Sequence, residues 1–273
     1  MQKIQQAGGK AVAIKADIAK PEEIKELFLG AKDAFGGKLD IVCSNAGIEH
    51  FDNIKDVTPE DFDKVISVNT RGQFFVAQQA YIHLVEGGRL ILTSSISAGT
   101  GSVRNHALYA GSKCAVEAFA RCFATDFSDK KIRVNAIAPG GVKSDMAIEA
   151  GWRYIPGADP TWTMERIEQH VAKWTPMGRI GEVEDVARVV RFLCTEDGGW
   201  MNGKLNNPSF SEANRGSPHN PYRSNHHNLG RRNKVELGSM ARQSRDITCR
   251  TIGIGWDLSK EKCYYPCISI CTR

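Results

Sequence analysis

The sequence RLILTSS at residues 89–95, followed by LYAGSKCAVEAFARCFATDF at residues 108–127, decides the fold class of this chain. The first run is rich in apolar residues and is typical of a buried strand, whereas the second has apolar residues at helical spacing. The same alternation recurs along the chain, with strands predicted at 11–16, 39–44 and 132–138 and helices at 21–35, 59–85 and 183–193. Strands that alternate with helices at this spacing predict an α/β fold built on a parallel sheet.

The charge distribution separates the chain into two parts. The net charge of +5 arises in residues 205–273, which contain eleven basic and five acidic side chains, whereas residues 1–204 contain twenty-five basic and twenty-six acidic ones. The larger part therefore has no electrostatic reason to bind nucleic acid. We predict that residues 1–204 form the catalytic domain and that residues 205–273 form a basic, low-complexity tail that is disordered.

The sequence also bears on location. No run of about 18 apolar residues is present, so we expect no membrane span. The first residues lack the apolar core of a signal peptide, and this predicts a cytoplasmic protein. The cysteines of residues 1–204 lie scattered in apolar segments, as reduced thiols do; they are Cys43, Cys114, Cys122 and Cys194.

Tyr109 and Lys113 are four residues apart in the predicted helix 108–127, so their side chains share one face. An ammonium group beside a phenol favours the phenolate and lowers the tyrosine pKa from its ordinary value of about 10. Such a pair exchanges a proton closer to working pH. Taken alone, this spacing is more often that of a surface Tyr–Lys pair than of a catalytic one.

The positions of the predicted strand ends favour the catalytic interpretation. Ser95 ends a strand fourteen residues before Tyr109, and the turns NAG (45–47) and PGG (139–141) also follow strands. Because the carboxyl ends of parallel strands meet at one edge of a sheet, we expect these segments to surround a ligand site. Their glycines allow close approach of the backbone to a ligand.

These motifs, in this order, resemble the classical short-chain dehydrogenase/reductase family. They are NAG (45–47), Asn69 in VNTRG, the strand-end Ser95, YAGSK (109–113) and NAIAPGGVKSDM (135–146), within a resemblance that covers residues 8–204. NTRGQFFVAQQ (69–79), HALYAGSK (106–113) and WMNGK (200–204) are most similar to fungal polyhydroxynaphthalene and versicolorin reductases. This resemblance implies reduction of a ring ketone of an aromatic, polyketide-derived substrate in pigment or secondary-metabolite biosynthesis. The implied cofactor is NADPH, with NADH as the alternative.

The resemblance also implies a role for each catalytic residue. Tyr109 would protonate the carbonyl oxygen as hydride arrives, and Ser95 would hydrogen-bond the same oxygen. Lys113 would lower the Tyr109 pKa and hold the nicotinamide ribose. Asn69, at a helix break, would anchor a water molecule that relays protons to Lys113; its alternative role is that of a helix cap only.

The implied cofactor site draws on several separate segments. Asp17 and Ile18 would lie near the adenine, although Asp17 could be only a turn residue at a strand end. The adenosine ribose would lie against Asn45, Ala46 and Gly47, and the nicotinamide amide and phosphates against Pro139, Gly140, Val142 and Ser144. Tyr109 and Lys113 complete the set.

Aromatic and methionine side chains occur where the family has a mobile lid over the substrate. They are Trp152, Tyr154, Trp162, Met164 and Trp174, and plain packing is an equal alternative for each. We predict no metal site, because the histidines lack metal-ligand spacing. The tail cysteines Cys263, Cys267 and Cys271 would need a fourth ligand, which His226 or His227 could supply, and a compact fold.

The sequence departs from the family at both ends. The glycine-rich turn that binds the pyrophosphate is missing, as are the first two strands, and LNNPSFSE after Lys204 replaces the last strand. The fold class is therefore α/β, an incomplete doubly wound Rossmann-type parallel sheet with a disordered tail. We expect the strand at 11–16 to have no neighbour and the strand at 39–44 to form an open edge. The change of composition at Lys204 suggests that the tail is translated non-coding sequence.

Three functions compete at this point. The first is an NADP-dependent reductase of a small carbonyl or phenolic compound, which forms a homodimer or tetramer through helices 70–85 and 108–127. The second is a catalytically inactive, truncated chain that binds a full-length partner through the same helices. The third, nucleic-acid binding by the basic tail, is disfavoured because scattered arginines come without an aromatic platform.

Overall fold

The computed structural model describes residues 2–6, 8–99, 103–206, 251–253 and 268–271. Its helices are α1 (Gln2–Gln6), α2 (Pro21–Ala34), α3 (Pro59–Ile66), α4 (Gln73–His83), α5 (Ala107–Asp126), α6 (Asp145–Ala150), α7 (Met164–Ala172) and α8 (Val183–Cys194). Its strands are β1 (Ala11–Ala13), β2 (Leu39–Ser44), β3 (Leu84–Thr93), β4 (Arg133–Ile137), β5 (Leu205–Asn206), β6 (Thr251–Gly253) and β7 (Ile268–Cys271). None of the helices in these residues is long and apolar enough to cross a bilayer.

The main sheet has the strand order β5-β4-β3-β2-β7. Strands β2, β3, β4 and β5 are parallel to one another, which confirms the predicted parallel α/β sheet. Strand β7 is antiparallel to β2, with Ile41 opposite Cys271. A separate parallel pair joins β1 to β6.

Strands from the tail occupy edges that we expected to be open. The expectation that the strand beginning at Ala11 has no neighbour is wrong, because β6 pairs with it. The expectation of an open edge at residues 39–44 is also wrong, because β7 covers that edge. After Lys204 the structure has a two-residue strand, β5, beside β4 rather than none. Disorder of the tail as a whole stays a prediction, and Cys263, Cys267, His226 and His227 lie outside the described residues.

Helices pack on both faces of the sheet because successive strand residues point to opposite sides. On one face, Val42, Leu90 and Val134 belong to a buried cluster with residues of α2, α4 and α5. On the other face, Ile41, Ile91 and Ile137 pack against Leu193 and Cys194 of α8. Strands buried on both faces read as continuous apolar runs, which explains the sequence RLIL at the centre of the sheet. This arrangement confirms the doubly wound fold.

The predicted helix 59–85 is divided into three parts. Its start is confirmed, since Thr58 and Asp61 form a reciprocal capping box with hydrogen bonds of 3.1 Å and 3.2 Å. The predicted break is a π-helical segment, Ser67–Gly72, that places Asn69 in the interior. The helix ends at His83 rather than at residue 85, and Gly87, with a φ of 72°, lies within β3.

Candidate active site

The three central parallel strands end around one cavity. It has a volume of about 740 Å³ and is lined by segments that follow β2, β3 and β4, together with side chains of α5, α7 and α8. Backbone hydrogen bonds from Ser94 to Ile137, at 2.7 Å, and from Ile96 to Pro139, at 3.1 Å, hold two of these segments together. The cavity lies at the carboxyl edge of the sheet, where the strand order predicted a ligand site, and its size suits a small molecule.

Ser95 and Tyr109 both line this cavity, and Ser95 acts on Tyr109 so as to favour its ionised form. Both residues are buried. The Ser95 hydroxyl accepts a hydrogen bond from the Ser97 backbone N–H at 3.2 Å, which fixes its position two residues after β3. A carbonyl oxygen bound in this cavity can therefore approach two hydroxyl-bearing side chains.

Lys113 lies one helical turn beyond Tyr109 and lines the same cavity. Its Nζ donates a hydrogen bond of 2.9 Å to the Thr93 carbonyl and lies 5.8 Å from the centre of the Tyr109 ring. Burial lowers the pKa of Lys113 to about 8, although the nearby Glu49 acts in the opposite direction. Lys113 is thus a buried amine that gains and loses its proton near neutral pH.

The ionisation of Tyr109 differs from the sequence-based expectation. We expected Lys113 to lower the Tyr109 pKa, but burial raises that pKa well above its ordinary value, and the charge of Glu49 adds to the rise. The hydrogen bond from Ser95 opposes the change but does not reverse it. The free energy needed to remove a phenolate from water is larger than the stabilisation that the nearby ammonium provides. Tyr109 is therefore a neutral phenol, the form that donates a proton.

Gly47 is needed for the close packing around Lys113. A Cβ atom at this position would lie 2.9 Å from Lys113 Nζ and 3.3 Å from Asn69 Oδ1. Real Cβ atoms do not approach other atoms as closely as the first of these distances. The absence of a side chain at residue 47 therefore lets the amine reach the end of β2.

Asn69 does not line the cavity but supports its wall. Its amide donates to the Ile48 carbonyl at 2.9 Å and to Ser112 Oγ at 3.0 Å, and its Oδ1 accepts from the Ile48 N–H at 2.8 Å. The side chain thus connects the segment after β2 to α5. This role is larger than that of a helix cap only. Its role with a relayed water molecule stays a prediction.

The residues predicted to bind a cofactor fall into two groups. Those that line the cavity, besides Tyr109 and Lys113, are Asn45, Gly47, Pro139, Gly140, Val142 and Ser144. Ala46 is buried behind the wall, where its carbonyl accepts a hydrogen bond of 2.9 Å from Gln73. Asp17 and Ile18 do not line the cavity; Asp17 accepts from the Ala19 N–H at 2.9 Å, as a turn residue does. A contact of these two residues with adenine stays a prediction.

The five residues predicted to form a lid also divide. Tyr154 and Trp174 line the cavity. Trp152, Trp162 and Met164 do not line it but pack, as Trp174 also does, against the buried cluster that includes Ile155 and Ile167. Packing is therefore the observed role of these three side chains.

Sequence reasoning missed two polar residues beside Tyr109. Glu49 lines the cavity and accepts a hydrogen bond from the Tyr154 hydroxyl. The ring of His106, which is buried, stacks on that of Tyr109 with 4.5 Å between the ring centres. The one available signal was that Glu49 comes two residues after the NAG turn and therefore near a strand end.

Known proteins with similar sequences and structures cover most of the chain. Residues 1–205 match the family model described as Enoyl-(Acyl carrier protein) reductase. The hydroxynaphthalene reductase-like protein Arp2 of Metarhizium acridum is 52% identical over 202 residues, which are 74% of this chain and 75% of that protein. The trihydroxynaphthalene reductase of Colletotrichum orbiculare is 50% identical over 205 residues, or 75% of this chain and 72% of that protein.

Solved structures agree with the sequence relatives. A short-chain dehydrogenase from Burkholderia cenocepacia in complex with NADP is 31% identical with a TM-score of 0.65, covering 76% of this chain and 78% of that one. A dehydrogenase/reductase from Sinorhizobium meliloti is 32% identical with a TM-score of 0.66, covering 76% of both chains. The chain belongs to the short-chain dehydrogenase/reductase family, and fungal hydroxynaphthalene reductases are among its relatives at about half identity.

Proposed function

We propose that this protein is an NADP(H)-dependent reductase that converts a ketone of a small aromatic, polyketide-derived ring into an alcohol. The observation that carries the proposal is the presence of Ser95 and Tyr109 on the wall of one cavity at the sheet edge, with Lys113 one turn away from Tyr109. The names of the relatives, which are hydroxynaphthalene and trihydroxynaphthalene reductases, support the substrate class.

The protein's own residues supply a proton and the orientation of the ketone. Ser95 and Tyr109 both hydrogen-bond the carbonyl oxygen, which draws electrons away from the carbonyl carbon. When bound, the nicotinamide cofactor supplies the hydride for that carbon and is itself oxidised. Tyr109 gives its proton to the oxygen, so the product is a neutral alcohol. The raised pKa of Tyr109 suits this direction because the phenol is protonated at the start.

The residues at this edge fit the nicotinamide end of such a cofactor. The missing Cβ of Gly47 and the backbone of Pro139, Gly140 and Val142 leave room at the cavity wall. An ammonium has three N–H donors, and among the described residues the Lys113 Nζ makes one hydrogen bond, to Thr93, so ribose hydroxyls have donors available. The relative solved with NADP supports NADP over NAD.

We also propose a cytoplasmic homodimer or tetramer. An apolar groove of about 210 Å³ lies between α4 and α5, the helices predicted to form the interface, and is lined by Phe74, Gln78, Tyr81, Phe123, Asp126 and Phe127. Phe74 is 39% exposed there, and a second copy would cover it. The free thiols of Cys114 and Cys122 fit a reducing compartment.

The experiment is a titration of the purified protein with NADPH, followed by cofactor fluorescence and then by turnover of a hydroxynaphthalene or a 1-tetralone. The proposal predicts saturable NADPH binding and loss of NADPH absorbance when the ketone is added. Absence of cofactor binding, together with co-purification of a full-length reductase, would instead support the inactive binding partner.

A further inference from the structure

Glu49 is an acidic residue inside the cavity to which the proposed reaction gives no role. It lines the same wall as Tyr109 and Lys113, and its charge acts on the pKa of both. The cations that face it are Lys113 and Arg153. A carboxyl group so close to the reacting atoms can influence which ligand the cavity accepts.

Glu49 begins a chain of hydrogen bonds that continues through two other side chains. The Tyr154 hydroxyl contacts Glu49 Oε1 and, at 3.1 Å, His106 Nε2. His106 Nδ1 lies 2.9 Å from the His50 carbonyl oxygen. These contacts link Oε1 of Glu49, and not Oε2, to the side chains of Tyr154 and His106.

The Tyr154 hydroxyl has one proton, and it donates this proton to Glu49 Oε1. A carbonyl can only accept, so His106 Nδ1 carries the hydrogen that faces the His50 carbonyl. Burial lowers the pKa of His106 to about 4, so its Nε2 is an acceptor as well. Burial raises the pKa of Glu49 to about 7, although the hydrogen bond from Tyr154 acts in the opposite direction.

The second oxygen of Glu49 is an unused acceptor. Oε2 is withdrawn from solvent and has no hydrogen-bond partner among the described residues. Oε1 accepts from Tyr154, and Oε2 has lone pairs of its own that can accept a hydrogen bond. An acceptor shielded from water and left without a donor costs free energy, which a ligand that brings a donor would recover.

We propose that Glu49 is a specificity-determining residue whose carboxyl group accepts, at Oε2, a hydrogen bond from a hydroxyl on the substrate ring. The proposal rests on the proposed function, since it places a ring ketone in this cavity. A small rotation of the side chain as the ring enters brings Oε2 into contact, a change common on binding. A carboxylate ligand offers no hydrogen to Oε2, and a cationic ligand is disfavoured by Lys113 and Arg153.

The remaining wall supports a phenolic ligand over an aliphatic polyol. Apolar side chains line the cavity on the side of α6, α7 and α8, including Met146, Ile167, Val171, Trp174 and Val186. A flat ring buries its apolar surface against them. The orientation of the ring in the cavity is then decided by whether its single polar substituent finds a hydrogen-bond partner.

Binding of 1-tetralone and of its 5-, 6- and 7-hydroxy derivatives, measured by calorimetry, tests the proposal together with the kcat/KM of NADPH-dependent reduction. For the wild type we expect at least one hydroxytetralone to bind and react about fivefold to tenfold better than 1-tetralone, the worth of one hydrogen bond. Glu49→Gln should reduce this preference, because its oxygen accepts from Tyr154 in place of Oε1 and its NH2 group, a donor, replaces Oε2. Glu49→Leu should abolish the preference, so that this variant binds and reduces 1-tetralone and the hydroxytetralones equally well.

Glu26→Leu, on the exposed face of α2, is the matched control and should behave as the wild type. A preference that survives in Glu49→Leu, or the absence of any preference in a wild type that reduces all four ketones, would overturn the inference and leave the proposed function intact. Failure of the wild type to bind or reduce any of them would overturn both. If Glu49→Leu does not fold, an undiminished preference in Glu49→Gln would still contradict the proposal.

Discussion

Ser95 and Tyr109 line the same cavity, although the first follows β3 by two residues and the second lies in the first turn of α5. The cavity thus brings the carboxyl end of β3 together with the helix that follows it. Two hydroxyl-bearing side chains therefore share the wall of one space of about 740 Å³. The proposed proton transfer depends on this relationship.

Replacing Ser95 by alanine should lower kcat strongly. The variant loses one of two hydrogen bonds to the carbonyl oxygen, and loss of one such donor costs about 10²-fold to 10³-fold in related chemistry. Steady-state oxidation of NADPH in the presence of 1-tetralone measures the effect. Ser128→Ala, at an exposed position after α5, is the control; equal rates for both variants would remove Ser95 from the mechanism.

Cofactor binding should weaken as the pH rises through the pKa of Lys113. The amine is charged below its pKa of about 8 and loses its proton above it, so it then makes fewer hydrogen bonds to the ribose. Fluorescence titration with NADPH between pH 6.5 and 9.5, values chosen to lie about 1.5 units on either side, should show affinity falling above about pH 8. Lys113→Met should bind weakly at every pH, and a wild-type profile without this fall would contradict the role.

Adding one methyl group at Gly47 should damage catalysis more than folding. The new Cβ would lie 2.9 Å from Lys113 Nζ and would displace the amine. We expect Gly47→Ala to lower kcat/KM for the ketone at least about tenfold, the effect of about 1.4 kcal/mol.

Gly111 offers a matched control for this variant. It lies in α5 between Tyr109 and Lys113, and a Cβ atom there would meet nothing within 4 Å. Gly111→Ala should keep its activity and gain up to about 1 kcal/mol of stability, because alanine favours a helix. Equal activity of the two variants in the same assay would show that the space at Gly47 is not needed.

Stability should depend on pH through Glu49. Its pKa is raised from 4.5 to about 7 on folding, so between these values the folded state keeps a proton that the unfolded state loses. The contribution of Glu49 is therefore full below about pH 4.5 and is lost as pH rises through 7, by on the order of 3 kcal/mol at most.

Glu49→Gln removes the ionisable group, so urea unfolding of the variant and the wild type at pH 5 and pH 8 measures the contribution of Glu49. The free energy of unfolding of the variant, relative to that of the wild type, should be higher at pH 8 than at pH 5. Glu26→Gln, an exposed substitution, should leave the pH dependence of the wild type unchanged. Parallel pH dependence of Glu49→Gln and the wild type would mean that Glu49 is ionised in the folded protein throughout this range.

Much of the fold and site follows from local sequence. Helical periodicity places Tyr109 and Lys113 on one face, and the apolar run before Ser95 defines the strand whose end meets them. Parallel strands bring their carboxyl ends together, so NAG and PGG were predictable neighbours of this pair. These features depend on spacing within an element or on the common direction of strands.

Other features depend on contacts between distant residues. Glu49 and Tyr154 are 105 residues apart, and neither lies in a regular pattern that indicates the other. The pairing of β6 and β7 with β1 and β2 joins the tail to the first strands, and no periodicity in the tail predicts it. The Tyr109 pKa was predicted in the wrong direction because the extent of burial, rather than the neighbouring amine, decides it.

The most direct measurement is the rate of NADPH-dependent reduction of 1-tetralone by the wild type and by Tyr109→Phe, with NADPH affinity measured in parallel. Phenylalanine keeps the ring stacked on His106 but has no proton to give. We predict that turnover falls by about 10²-fold to 10⁴-fold while cofactor affinity is nearly unchanged. Turnover that survives in Tyr109→Phe would contradict the assignment of Tyr109 as the proton donor.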